Sequence, residues 1–405
     1  MDTIFAEIER QSDDMVAALS RICRVPAISP HNGGDGEEAK AKEIEKLISE
    51  LGLGPVEWQR VDDAKSPTGN RPSLFLEYKG ASPRRLCILS HMDIVPEGDR
   101  SFWSLDPYNP VVRGSRLYGR GVADNGMAII SSLYALYALK KLNITPAYTI
   151  CLVFLSDEEL GSSFGVQPLL ERGLFRDDDL VIAPDSGNDR GYFVEVAEKS
   201  MLRMEFTVTG KQAHASRPQT GLNACRVANL FSAELDEALH VAFKDKDELF
   251  DPPVSTFEPT RRYANVPNLN TIPGKEHFGF DCRVLPSVPL KDVLTVVERV
   301  KDEVSRHSGA VIELETKGDD AAPPTSKDSD IARLLLSSLT KVLNVKPVFG
   351  GIGGGTFAAF FRRKGIPAVV WQQEAEGTAH QPDEYTEIEY IINNAKVFAG
   401  MMSGN

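Results

Sequence analysis

The 405-residue chain is longer than one ordinary hydrophobic core requires, so its length indicates two domains. Its net charge of −13 and pI near 5.2 exclude nucleic acid and anionic membrane as expected partners, because no basic excess is available to neutralise phosphates. The five cysteines form no Cys-x-x-Cys pair, and Cys87, Cys151 and Cys282 lie in strand-like runs as small core residues, which fits a reducing cytoplasm. We expect neither a signal peptide nor an apolar run long enough to cross a bilayer, so the chain is predicted to be cytoplasmic.

Predicted helices alternate with apolar strands in the first half of the chain. Helical spacing of apolar residues predicts helices over residues 2–23, 37–51, 127–141 and 165–172. Strands are predicted over residues 56–60, 73–79, 86–90, 149–155 and 180–183, and residues 97–118 are predicted to be loop. This alternation predicts an α/β fold in which a mainly parallel sheet carries helices on both faces.

The pattern changes near residue 199. Strands are predicted over 202–209, 276–284 and 310–315, and helices over 221–243 and 289–307. Two helices against one side of an antiparallel sheet form a compact α+β domain. Alternation then returns with a helix over 328–343, a glycine-rich loop at 350–355, a helix ending at 364 and a strand over 366–371. We therefore predict one domain built from residues 1–198 and 317–405, with a second domain inserted at 199–316.

Four of the apolar strands end in polar residues. His91 and Asp93 follow the strand at 86–90, and further groups follow the later strands, namely Glu158 and Glu159, then Asp185, then His380 after a short loop. Ligands bind in the crevice beyond the carboxyl ends of parallel strands, so these groups are expected to meet there. A core histidine beside surface carboxylates is the alternative for His91 and Asp93 taken alone.

Asp124 lies among three glycines, Gly119, Gly121 and Gly126. Glycines allow unusual backbone conformations, which can aim a carboxylate into a crevice. The alternative is that Asp124 caps the helix predicted at 127–141.

These groups have the chemistry of a divalent metal site. Two histidines and three carboxylates, one of them shared, can hold two Zn²⁺ ions and leave a position for water; the five are His91, Asp124, Glu159, Asp185 and His380. Adjacent carboxylates cannot easily bind one ion, so one of Glu158 and Glu159 is expected to bind metal and the other to handle protons. Asp93 is expected to fix the His91 tautomer, with a turn cap as its alternative role.

Five motifs of the chain resemble those of the dinuclear zinc metallopeptidase family of acetylornithine deacetylase, succinyl-diaminopimelate desuccinylase, aminoacylase, carboxypeptidase G and several dipeptidases. They are Ser90-His-Met-Asp93, Gly119-Arg-Gly-Val-Ala-Asp124, Asp157-Glu-Glu-Leu-Gly161, Pro184-Asp185 and His380-Gln-Pro-Asp-Glu-Tyr385. The resemblance implies a zinc exopeptidase fold with two Zn²⁺ per chain, for which Co²⁺ or Mn²⁺ are possible substitutes. It also implies His91 and Asp185 on one ion, Glu159 and His380 on the other, Asp124 bridging, and Glu158 as general base.

The inserted domain resembles the family's lid and dimerisation domain. By this resemblance His214, within Gly210-Lys-Gln-Ala-His-Ala-Ser216, stabilises the oxyanion, and Asn270 and Arg283 bind substrate. Gly355 and Thr356 of the glycine-rich loop are the other expected substrate-binding residues. The resemblance further implies a homodimer formed through the lid, in which His214 acts on the partner's site.

Two positions depart from the family's pattern. Asp185 stands where many deacylases and carboxypeptidases carry glutamate and where dipeptidases and aminopeptidases tend to carry aspartate, and Phe357 stands where the family usually has aspartate. The expected activity is hydrolysis of the amide bond of a small N-acyl amino acid or short peptide, with deacylase and dipeptidase both open. The rivals are a non-catalytic metal-binding relative and a phosphoesterase, although the latter would need a basic clamp that the sequence does not show.

Overall fold

The computed structural model describes residues 1–319 and 321–404, which divide into two compact units. The first unit contains Met1–Val196, Pro324–Gly350 and the residues from Thr356 onward, and the second contains Ala197–Pro323 with Gly351–Gly355. The second unit therefore begins and ends slightly outside the predicted 199–316 and also takes in part of the glycine-rich segment. A role for this unit in dimerisation stays a prediction.

The first 198 residues form five helices and eight strands among the described elements. The helices are α1 Asp2–Arg10, α2 Ser12–Cys23, α3 Glu38–Leu51, α4 Met127–Lys141 and α5 Val166–Glu171. The strands are β1 Glu57–Asp62, β2 Asn70–Tyr78, β3 Ser82–His91, β4 Val111–Arg113, β5 Arg116–Tyr118, β6 Tyr148–Leu155, β7 Leu180–Asn188 and β8 Phe193–Glu198.

The remaining elements belong to the inserted segment and to the return of the chain. The inserted segment forms β9 Ser200–Thr209, β10 Ala213–His214, α6 Ala224–Ala242, β11 Thr256–Arg262, β12 Thr271–Ile272, β13 Lys275–Val284, α7 Leu290–Ser308 and β14 Val311–Asp319. The return forms α8 Asp330–Leu343, β15 Val348–Ile352, α9 Ala358–Arg363, β16 Ala368–Gln373, β17 Tyr385–Glu387 and α10 Ile388–Met402.

Eight strands form one mixed sheet in the order β1-β2-β6-β3-β7-β16-β8-β15. The central strands β6, β3, β7 and β16 run parallel, whereas β1 and β2 at one edge, and β8 next to β16, run antiparallel to their neighbours. The predicted α/β fold class is confirmed. The four parallel strands are those whose carboxyl ends were predicted to carry the polar groups.

Helices cover both faces of the parallel strands because successive strand residues point to opposite faces. On one face, Leu89, Val153 and Val370 pack against α5 and α9. Helices α4, α8 and α10 contact the same sheet, and α10 also packs against both α4 and α8. The stretch Val122–Lys141, which includes α4, is long and apolar enough to cross a membrane, contrary to expectation, but 89% of its most apolar window is buried inside the fold. It therefore has the properties of a core helix.

The second unit has a four-stranded antiparallel sheet in the order β11-β13-β9-β14. Along β9, buried residues alternate with more exposed ones, as in a strand with one covered face. Its buried side chains pack with α6 and α7 in one core, where the Phe206 ring stacks on Phe278 at 5.0 Å and meets Phe231 edge-on at 5.0 Å.

Several elements differ from the sequence-based expectations. The predicted helix 2–23 is two helices separated at Gln11, whose N–H bonds the carbonyl of Ile8 in a tighter turn. The predicted loop 97–118 contains β4 and β5, and the glycine-rich loop begins as β15. Helix α10 was missed because its apolar pattern is interrupted by Asn394, which is buried and bonds the main chain of Gln373 instead of facing solvent.

Candidate active site

Parallel strands bring the predicted polar groups to one edge of the sheet. His91, the last residue of β3, pairs with Leu155 at the end of β6, and the acidic turn follows Leu155 directly. Asp185 lies on β7, the other neighbour of β3. His380 follows β16 through a loop. The sheet topology therefore brings together the groups that were predicted to meet.

The first ligand group consists of His91, Glu158 and Asp185, which offer ligand atoms that all lie within 4.8 Å of one another. The Nε2 atom of His91 is 3.2 Å from Oδ1 of Asp185. The Nδ1 atom is 3.0 Å from the main-chain oxygen of Asp93, which can only accept, so Nδ1 carries the hydrogen. Nε2 is thereby directed at the carboxylates with its lone pair available to a metal.

The second ligand group consists of Asp124, Glu159 and His380, with ligand atoms likewise within 4.8 Å of one another. Nε2 of His380 is 3.1 Å from Oε2 of Glu159 and 3.1 Å from Oδ2 of Asp124. The other oxygen of Asp124, Oδ1, is 2.9 Å from Nε2 of His91. Asp124 thus offers one oxygen to each histidine, the arrangement that a bridging carboxylate needs.

The donor sets fit divalent metal ions. Nitrogen and oxygen ligands of one tetrahedral ion, each about 2.0–2.1 Å from it, lie about 3.3 Å apart. The observed separations of 2.9–3.2 Å between histidine nitrogens and carboxylate oxygens are close to that value. Imidazole and carboxylate donors, with no cysteine among the two groups, suit zinc, cobalt or manganese.

The electrostatics of both groups favour cations. Hydrogen bonds to Asp124 and then Glu159 raise the pKa of His380 to about 10. Burial opposes a charge on His91, but its contacts with Asp124 and Asp185 hold its pKa well above the usual range. The carboxylates thus attract positive charge onto the two imidazoles. A divalent cation would take the place of those protons at the same atoms.

Asp93 organises the acidic turn more directly than expected. Its Oδ1 and Oδ2 accept the main-chain N–H groups of Glu158 and Glu159, each at 3.1 Å, and Oδ1 is 3.5 Å from Nδ1 of His91. The predicted role of its side chain in fixing the His91 tautomer stays a prediction, and its main-chain oxygen is the nearer acceptor for Nδ1. The carboxylate also fixes the directions in which Glu158 and Glu159 leave the turn.

The pKa of Glu158 is raised further than that of its neighbour Glu159, which burial also raises. Burial and then the negative charge of Asp185 raise the pKa of Glu158 well above its usual range. A carboxylate with a raised pKa is suited to take and return a proton near neutral pH.

A buried ion cluster lies behind the acidic turn. Arg71 is fully buried, bonds both carboxylate oxygens of Glu37, and places Nη1 3.4 Å from Oδ1 of Asp157. Asp157 has a positive φ of 65° and accepts the N–H of Phe164. Asp157, the residue directly before Glu158, is therefore held by contacts with both Arg71 and Phe164.

Three further residues near these groups were given no role by the sequence. Asn125 donates from Nδ2 to Oδ1 of Asp185 at 3.0 Å, and the peptide bond before it is cis. Glu374 follows β16, accepts the N–H of Gly187, and has its pKa raised to about 7 by burial. Glu384 is buried against the loop that carries Asp124. Asn125 directly follows one of the quoted motifs and Glu384 lies within another. These positions were the sequence signal that could have identified them.

In the second unit, His214 and Asn270 lie close together. The pairing of β10 with β12 places His214 opposite Thr271, and the N–H of Ala215 bonds the carbonyl of Asn270 at 2.9 Å. His214 is exposed, and its Nδ1 accepts the N–H of Ser216 at 3.2 Å. In a neutral ring the hydrogen must then be on Nε2, so His214 presents a donor, as an oxyanion-binding group requires.

The other predicted substrate-binding residues have defined partners. Arg283 donates to both oxygens of Asp281 and, through Nη1, to the carbonyl of Gly353 at 2.8 Å. Gly355 is exposed in the second unit. Thr356, in the first unit, is buried and accepts the N–H of Ala358 at 3.1 Å.

Phe357 has a clear structural role. Its side chain is 1% exposed and belongs to the core between the sheet and α9. The departure from the family's aspartate therefore replaces a polar group by a core residue, and this position offers no side-chain contact to a substrate.

Comparison with known sequences identifies the family. The family described as Peptidase family M20/M25/M40 matches residues 87–404. An uncharacterized metallohydrolase of Methanocaldococcus jannaschii is 37% identical, over 98% of this chain and 99% of its own length. A succinyl-diaminopimelate desuccinylase of Nautilia profundicola is 26% identical, over 80% of this chain and 86% of its own length.

Known crystal structures share the fold. Human carnosine dipeptidase 1 superposes with a TM-score of 0.76 at 17% identity, covering 100% of this chain and 98% of that one. A dinuclear metal-binding peptidase of Bacillus subtilis gives a TM-score of 0.65 at 16% identity, covering 98% of each chain. The profile match and the archaeal relative extend over most of the sequence and include both ligand groups. The chain therefore belongs to peptidase family M20/M25/M40 and is a metallohydrolase of that family.

Proposed function

We propose that this protein is a cytoplasmic, zinc-dependent amidohydrolase that cleaves the amide bond of a short peptide or a small N-acyl amino acid. The observation that carries the proposal is the placement of Glu158 within 4.8 Å of the ligand atoms of His91 and Asp185, while Glu159 contacts His380. The adjacent residues Glu158 and Glu159 thus face different ligand groups. In this proposal Glu159 is a metal ligand and Glu158 is the base.

Divalent metal ions bound by the two groups would lower the pKa of water and polarise the scissile carbonyl. His91 and Asp185 would hold one ion, Glu159 and His380 the other, and Asp124 would contact both. Glu158 takes the proton of the attacking water and returns it to the leaving nitrogen, so the amine departs neutral. The raised pKa of Glu158 suits both steps.

The lid contributes to substrate binding in this proposal. His214 presents Nε2–H to the developing oxyanion, and Arg283 and Asn270 bind polar groups of the substrate. We propose a homodimer formed through the second unit, in which His214 serves the partner's site. The protein would have neither nucleic acid nor membrane as a partner.

Among possible substrates we favour peptides with a free amino group. Asp185 is the residue that supports this choice, since it matches the family's dipeptidases and aminopeptidases and not most of its deacylases. The 26% identical desuccinylase supports the alternative, an N-acyl amino acid deacylase. A non-catalytic metal-binding relative is the other candidate, but it would not need the partly buried and turn-held Glu158.

A substrate panel tests the proposal. Protein loaded with Zn²⁺, Co²⁺ or Mn²⁺ is incubated with unblocked dipeptides and with N-acetyl and N-succinyl amino acids, and new amino groups are measured. We expect unblocked dipeptides to be cleaved at least as well as the acylated set. Exclusive cleavage of the acylated set would favour the desuccinylase alternative, and no cleavage with any metal would favour the non-catalytic relative. Glu158→Ala protein, purified identically, controls for contaminating peptidases.

A further inference from the structure

Glu384 is a buried carboxylate that the proposed mechanism does not use. Its side chain is 1% exposed, and it lies four positions after the ligand His380. Its carboxylate is in neither of the two ligand groups found among the described residues.

The carboxylate of Glu384 binds one short segment of backbone. Its Oε1 accepts the N–H groups of Gly121 at 3.0 Å, Ala123 at 3.1 Å and Asp124 at 3.3 Å. Its Oε2 accepts Nη1 of Arg120 at 2.6 Å, and Arg120 is itself buried. A single side chain therefore accepts hydrogen bonds from three main-chain N–H groups and from the Arg120 guanidinium, all within residues 120–124 of the Asp124 loop.

The backbone of Glu384 is tied to the same loop. Strand β17 pairs antiparallel with β5, so that Tyr385 lies opposite Tyr118. The pairing continues one step further, because the N–H of Gly119 bonds the main-chain oxygen of Glu384 at 2.9 Å. The segment that carries His380 is thus registered against the segment that carries Asp124 by main-chain and side-chain bonds together.

The Asp124 loop needs such an anchor. Gly119 and Gly121 have φ values of 154° and 78°, and Asp124 has a non-helical φ of −118° and ψ of 97°. The loop therefore cannot satisfy its N–H groups by regular helical bonds. Buried N–H groups without an acceptor would each cost about 1–3 kcal/mol, so a buried acceptor is required to hold this conformation. Glu384 provides that acceptor.

We propose that Glu384 is a positioning residue that sets the distance between Asp124 and His380, and with it the metal affinity of the second ligand group. The inference rests on the proposed function for the presence of two metals, but its test measures metal and needs no substrate. The first group shares Asp124 but should be affected less, since His91 and Asp185 are carried by β3 and β7.

The test uses full-length protein loaded with cobalt. Samples are dialysed against a graded series of chelator concentrations, and bound cobalt per chain and the visible cobalt absorption are measured. For Glu384→Gln we expect one equivalent to dissociate at a free cobalt concentration about 10–100-fold higher than in wild type, while the other shifts clearly less, as for groups that orient metal ligands. His380→Ala identifies the affected equivalent, which should be the one this variant loses.

Two further variants separate positioning from general stability. Glu384→Asp keeps the charge but withdraws the carboxylate from the loop, so it should shift the same equivalent; it also serves if Glu384→Gln does not fold. Glu387→Gln is the matched control, because Glu387 lies on β17 and bonds Arg116 at the surface. It should shift neither equivalent. A parallel loss of both equivalents in the Glu384 variants, or wild-type retention of both, would overturn the proposal.

Discussion

The two ligand groups share Asp124 but are supported in different ways. In the first group the His91 side chain is 0% exposed and Asp185 is 8% exposed, and both lie on central strands of the sheet. In the second group His380 is 50% exposed and lies on a loop with a positive φ of 64°. The main-chain hydrogen bonds of the sheet fix His91 and Asp185 of the first group. The second group depends on individual side chains that hold loops in place.

The largest loss of activity is expected from substitution of the adjacent glutamates Glu158 and Glu159, which have different roles in the two groups. Glu158→Ala should keep both metals yet lower turnover by about 10²–10⁴-fold, because it removes the proton-transferring group. Glu159→Ala should lose metal as well, because it removes a ligand of the second group. Metal analysis and initial rates on the purified variants measure both effects.

Glu171→Ala is a suitable control for the glutamate pair, because Glu171 is an exposed acid at the end of α5. It should retain both metals and full turnover. Wild-type activity in Glu158→Ala would be incompatible with the assigned division of roles.

A second prediction concerns a residue that belongs to neither group. If His214 acts on the partner subunit's site, mixing inactive His214→Ala and Glu158→Ala subunits should restore activity. Half of the randomly exchanged dimers are mixed and one site of each is intact, so recovery should approach about a quarter of wild type. Activity is measured after denaturation and joint refolding, with each variant refolded alone as control. Proven exchange without recovery would mean that His214 serves its own chain or has no such role.

The third prediction tests the support of the acidic turn that supplies both groups. Arg71→Ala should lower the free energy of unfolding by about 3–5 kcal/mol, because it leaves the buried Glu37 carboxylate without its partner. Arg299→Ala is the comparison, since Arg299 pairs with Glu303 on an exposed helix surface. That change should cost no more than about 0.5 kcal/mol. Denaturant unfolding measures both, and equal costs would contradict the described burial.

The last prediction uses the reactivity of buried cysteines to test the rigidity of the strands that carry the first group. Cys87 and Cys151 lie buried on β3 and β6, and burial raises the pKa of Cys23 and of Cys282 to about 12. Only the partly exposed Cys225 should react quickly with a thiol reagent at pH 8 in the folded protein. Mass spectrometry after timed labelling locates the modified residue. Fast modification of Cys87 or Cys151 would indicate that the strands open.

The sequence predicted the strand-borne part of the site well. Buried strands of a parallel sheet read as continuous apolar runs, and the polar residues at their ends are visible directly, as at His91 and Asp185. The loop-borne ligands Asp124 and His380 were predicted from the glycines around Asp124 and from the strand before His380, and the resemblance to the family then implied the role of each. The fold class followed from the same alternation of helices and apolar strands.

Other features depended on long-range geometry that no local pattern contains. Strands β4 and β5 have three residues each, and β5 pairs with β17, which is distant in sequence. The contacts of Glu384 and Asp93 are made to main-chain N–H groups, whose directions are set only by the folded loops. Sequence therefore identified which residues form the site better than it identified what holds them.

In the proposed function, two distinct groups of side chains each hold one metal ion. The most direct measurement is the number of metal ions per chain in zinc-loaded protein after removal of free metal, for wild type, His91→Ala and His380→Ala. We predict two ions in wild type and one in each variant, with His91→Ala and His380→Ala losing different ions. A single ion in wild type, or the loss of both ions or of neither in either variant, would mean that the two groups do not each hold one ion.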